Sequence, residues 1–118
     1  MSTTPVSLIL LASAGLGIYM FLKFLRGERN TGGMIATHLI LGAAALEQIA
    51  LLFRGAPNGE TWPSDSMLKT GATFLVFAMM TGFAAPLLRS SNGVKVLYIH
   101  VGVGAIGALM LLGWVMKT

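Results

Sequence analysis

Two histidines, His38 and His100, are the only imidazoles in the chain, and both stand in the same local pattern. Asn30 precedes His38 by eight residues and Asn92 precedes His100 by eight; Gly42 and Ala45 follow the first histidine, Gly104 and Gly107 the second. The shared motif is Asn-x7-His-x3-Gly-x2-small, and an offset of 62 positions carries one copy onto the other. On a helix the small residues fall within ~40° of their histidine, so each imidazole stands beside a strip without large side chains. Such a strip can admit a flat macrocycle. Two neutral imidazoles facing each other across a bundle can supply the axial ligands of a low-spin b-type haem (heme b), whose iron has one open position on each face. His38 and His100 are thus the candidate metal ligands, and Gly42, Ala45, Gly104 and Gly107 the candidate walls of the cofactor site.

The elements that must hold these residues follow from composition. Of 118 residues, 55% are apolar and 10% charged, against the ~25% charged of an ordinary soluble domain. The nearly uncharged stretches match the ~20 residues that a bilayer core demands of a helix. Four fit, at about residues 5–25, 33–53, 68–88 and 94–116. The expectation is an all-α membrane protein, a single domain over 1–118, with four transmembrane helices in a bundle made of two repeated helical hairpins. The second and fourth helices run in the same direction, and each histidine lies ~8 Å past the start of its helix, at one depth. The first stretch carries its positive charge after the apolar run, which reads as a retained helix and not a cleaved signal. A water-soluble enzyme is excluded. The absence of cysteine removes thiolate ligands and iron-sulfur clusters.

The net charge of +4 points to no nucleic-acid partner, because Lys and Arg in a membrane protein mainly mark topology. The loops after the first and third helices carry Lys23, Arg26, Arg29, Arg89 and Lys95, against Arg54, Lys69 and Lys117 on the other side. This bias places those loops inside, and both termini and the Trp62 loop outside. Arg26, Arg29, Arg89 and Lys95 then share a side with both histidines, where cations favour haem propionates.

On its helix count and on His38-x3-Gly42 and His100-x3-Gly104, the chain resembles the small four-helix transmembrane b-type cytochromes, a group that includes ferric-reductase-like and quinone-linked membrane subunits. The resemblance implies an electron-transfer subunit that exchanges electrons with quinone or a partner redox protein, working with other membrane subunits or as a homo-oligomer in the lipid bilayer. In enzymatic terms it would be at most the electron-transfer subunit of an oxidoreductase complex. Many members hold two haems on four histidines, whereas the two histidines here provide for one.

Blander readings stand beside these. A single intramembrane histidine can be a hydrogen-bonded helix contact, and small-xxx-small patterns such as Ser13-x3-Gly17 simply let helices approach. The methionines read as adaptable packing, although Met34, four residues before His38, leaves a weak copper(I) alternative. Glu47 is the only acid within a helical segment, ~180° around the helix and ~13 Å along from His38. It reads as a proton or quinone site, a contact to a partner subunit, or a protonated structural acid. Two other functions remain open: a small proton-coupled transporter using Glu47, and a pigment-binding or structural accessory subunit of a membrane complex.

Overall fold

In a computed structural model of the chain, helices α1 (Thr4–Leu25), α2 (Gly32–Arg54), α3 (Ser66–Ala84) and α4 (Ser91–Lys117) follow one another in order. The structure describes residues 4–54, 66–85 and 91–117. The Trp62 loop, Arg89 and the stretch Pro86 to Leu88, expected to close the third helix, lie outside the described residues. Within the helices, spans of 22, 22, 18 and 24 residues are long and apolar enough to cross a membrane. In hydrocarbon every backbone N–H and C=O must be satisfied internally, which a helix achieves within its own segment. The protein is an all-α, multi-pass integral membrane protein. Helix α4 starts at Ser91, ahead of the expected Val94, because the apolar run marks only the hydrocarbon core while helical hydrogen bonding continues into the interface.

Threonine hydroxyls inside the spans are satisfied locally. Thr37 Oγ1 donates to the Gly33 carbonyl at 2.7 Å and Thr73 Oγ1 to the Lys69 carbonyl at 2.9 Å, the bond back to the preceding turn that lets a hydroxyl reside in an apolar helix.

The connection between α1 and α2 is closely specified. Two residues past the end of α1, Gly27 has a φ of 76°, the left-handed conformation that glycine adopts without a Cβ penalty. The Gly27 N–H donates to the Phe24 carbonyl at 3.0 Å and the Glu28 N–H to the Lys23 carbonyl at 2.9 Å, the paired bonds of a Schellman cap. Thr31 then caps α2, accepting from the Met34 N–H at 3.1 Å. Between the caps, Asn30 Nδ2 donates to the Met20 carbonyl at 3.2 Å and ties the loop back to α1. The first asparagine of the repeated motif is thus a loop fastener. The Asn92 side chain lies outside the described residues.

Two hairpins result, α1 packed on α2 and α3 packed on α4. In the first, Ala45, Ile49 and Leu52 of α2 are buried with Val6, Leu10 and Ser13 of α1. In the second, Leu111 and Trp114 of α4 are buried with Leu68 and Ala78 of α3, and Gly71 and Gly107 with them. The offset of 62 that relates the histidines also carries Ala45 to Gly107, Ile49 to Leu111 and Leu52 to Trp114. All six are buried. The repeat therefore extends along the whole contact face of α2 and α4. On their partners an offset of 65 carries Val6 to Gly71, Leu10 to Leu75, Ser13 to Ala78 and Gly17 to Gly82. Large apolar side chains such as Leu8, Ile18, Ile40, Phe77 and Leu109 point away from these contacts and are exposed, as lipid-facing positions should be.

Candidate functional site

Both histidines lie on the contact face of their hairpin, and each meets a glycine. A Cβ built on Gly17 would stand 2.8 Å from His38 Cε1, and one built on Gly82 would stand 2.9 Å from His100 Cε1. Real Cβ atoms do not approach that closely, so the imidazole edges occupy recesses that exist only because residues 17 and 82 carry no side chain. The spacing from glycine to histidine is 21 residues in the first hairpin and 18 in the second, yet the contact is the same. Gly17 of the Ser13-x3-Gly17 pattern, expected to serve close packing, does so against an imidazole.

Polar contacts orient His100. Its Nδ1 lies 2.6 Å from the Ala78 carbonyl oxygen. A carbonyl can only accept, so Nδ1 carries the proton and Nε2 keeps its lone pair. Thr81 Oγ1 lies 3.4 Å from the same nitrogen. This is the arrangement by which a metal-binding histidine usually holds its tautomer, the second ring nitrogen donating to a backbone carbonyl.

The expected wall residues take up positions in the helix contacts. Gly104 faces Ala78, whose Cβ would be 3.7 Å from a Cβ at residue 104, an ordinary van der Waals distance. Gly107 is tighter: a Cβ there would meet Phe74 Cβ at 2.9 Å and the Gly71 carbonyl oxygen at 3.1 Å. Ala45 is buried and Gly42 half-buried on α2. In α4 the small residues following the histidine thus bring α3 close, as small-xxx-small patterns do. The structure joins His38 with Gly17, and His100 with Gly82, Ala78 and Thr81. Sequence reasoning missed Gly82, Ala78 and Thr81, because the partner of each histidine sits on a helix whose facing side no apolar periodicity marks.

The cationic residues differ in their engagement. Lys23 Nζ lies 6.0 Å from the Tyr19 ring centroid and 3.9 Å from Met34 Sδ, so this methionine, a weak metal-ligand candidate, neighbours a cation. Arg26 pairs with Glu28 at 3.4 Å, both side chains more than half exposed, a geometry that contributes little to stability. Arg29 and Lys95 are exposed. Glu47 is exposed on the outer side of its hairpin, away from the His38 face.

The glycine recesses permit a direct check. Gly82→Ala should drive the His100 ring out of its recess, with loss of its contact to Ala78, and Gly17→Ala should do the same to His38. Each is expected to cost about 1–3 kcal/mol of hairpin stability by overpacking, read as earlier thermal unfolding in detergent. An unchanged transition in both variants would show that the rings are not seated on the glycines.

No protein-family model matches the chain, and no characterised protein or solved structure matches it either.

Proposed function

We propose that the chain is a membrane electron-transfer subunit in which His38 and His100 are the axial ligands of one b-type haem. One observation carries this reading: both imidazoles stand over a glycine at the same register of a repeated hairpin, each in a recess a Cβ would fill. The donor set fits the group, since two neutral imidazoles are its ordinary low-spin ligands, and the Ala78 carbonyl leaves His100 Nε2 as the lone-pair nitrogen.

Bound haem would supply the reversible one-electron chemistry of its iron. The chain's own contribution would be to hold His100 with its lone pair on Nε2 and to surround both imidazoles with apolar helix. Arg26, Arg29, Arg89 and Lys95, on the side of the membrane read as inside, would offer cations to the propionates. Both termini then face outward, and the electron partner is a quinone or a redox protein beside this subunit.

The recesses also favour a second reading, in which the imidazoles fill space between helices and bind nothing. A reduced-minus-oxidised spectrum of the purified protein, taken with its absolute spectrum, separates the two. Low-spin haem bands are the expected result. A chlorin spectrum would point to pigment binding, and a protein without any chromophore after expression with ample haem would leave the packing role.

Glu47→Gln should leave that haem spectrum unchanged, because regular helical geometry sets the carboxyl ~180° and ~13 Å from His38. A partner contact would reveal itself as poor co-purification of the complex, and a proton site as slower turnover with assembly intact. A shifted haem absorption in this variant would show that Glu47 reaches the cofactor, contrary to the register of α2.

A further inference from the structure

The two hairpins repeat one another closely along their contact faces, and the repeat is broken beside one histidine. Ala78 of α3 corresponds to Ser13 of α1 and Gly82 to Gly17, but the residue between them that corresponds to Thr81 is Leu16. A hydroxyl thus stands beside His100 where the first hairpin has an aliphatic side chain. Its placement is well defined. Thr81 Oγ1 lies 2.9 Å from the Phe77 carbonyl oxygen and 3.1 Å from the Ala78 carbonyl oxygen. It lies 3.4 Å from His100 Nδ1, which is itself 2.6 Å from the Ala78 oxygen.

The hydroxyl has one proton and two lone pairs. The shorter contact, to the carbonyl one turn back, takes the proton, as threonine in a helix ordinarily does. Its lone pairs are then turned toward His100, where they can only accept. We infer that Thr81 is a positioning residue for His100, its hydroxyl and the Ala78 carbonyl together forming a two-acceptor clamp that holds the ring as the Nδ1–H tautomer, with the lone pair on Nε2. With leucine at the corresponding place in the first hairpin, a threonine hydroxyl at this register is a feature of the second hairpin alone.

The clamp deepens the reading of His100 as a haem ligand, and its presence is measurable without haem. In the full-length protein, purified haem-free in lipid nanodiscs with 15N-labelled histidine, the His100 Nδ1 resonance should fall in the protonated, pyrrole-type range and Nε2 in the pyridine-type range. Thr81→Val, which keeps the shape and removes the hydroxyl, should move the tautomer equilibrium toward Nε2–H by about two- to fivefold, the worth of one weak hydrogen bond. Thr81→Ser should restore it. The His38 resonances should not respond to either change. A pyridine-type Nδ1 in the unaltered protein overturns the clamp outright, a result that stands even if the valine variant fails to fold. A valine variant with unchanged tautomer populations removes Thr81 from it. Because these readings are made on haem-free protein, absence of haem from the native protein would refute the electron-transfer proposal and leave the clamp standing.

Discussion

His38→Ala and His100→Ala should each reduce low-spin haem content at least tenfold. Losing an outer partner of a metal-binding histidine already costs about 10- to 100-fold in affinity, and in the proposed site losing the ligand itself would remove one of the two bonds from protein to iron. With a single histidine left in either variant, no second imidazole remains to take the vacant position. Haem per protein and the low-spin absorption, measured after purification with ample haem supplied, check the expectation. A variant that retains both at the native level would show that its histidine is not an axial ligand. Earlier unfolding with no spectroscopic change would identify that histidine as a contact between helices, since each ring fills a recess over glycine.

The second large effect is expected at Gly107. Gly107→Leu introduces a Cβ that would lie 2.9 Å from Phe74 Cβ and 3.1 Å from the Gly71 carbonyl oxygen. Both obstacles are at or next to the backbone of α3, so no side-chain rotation relieves them and the helices must part. Overpacking of this kind costs about 1–3 kcal/mol, more where backbone has to move. Thermal unfolding in detergent should show it. Gly104→Ala is the contrast, because its Cβ would find Ala78 Cβ at 3.7 Å and should leave the transition almost where it was. Equal effects from the two substitutions would contradict the close approach of α3 and α4 at Gly107.

How far the sequence could be read depended on which physical constraint wrote it. The four helices were legible because a bilayer demands long uncharged runs, and their interior positions match the structure. Their ends were not, since Ser91 to Gly93 continue a helix that hydropathy alone would start at Val94. The histidine repeat was legible as a spacing, but its extent was hidden: Leu52 and Trp114 differ in size and chemistry and are related only by shared burial at equivalent positions. The glycine opposite each ring was harder still. Helices apolar on every side carry no periodic signal for the face that meets protein, so Gly82 looked like any other glycine in α3. Thr81 gave no signal at all, because its meaning lies in a nitrogen 19 residues further on.

The way each hairpin completes its own contact face bears on how the chain is made. Since α1 packs on α2 and α3 on α4, each of these contact faces joins two helices that are neighbours in the chain. Insertion can then proceed by pairs, the first hairpin closing over His38 while α3 is still being translated. Its short loop, already fastened by Gly27, Asn30 and Thr31, makes that closure a local event. Such an order limits the time for which a polar imidazole faces lipid alone.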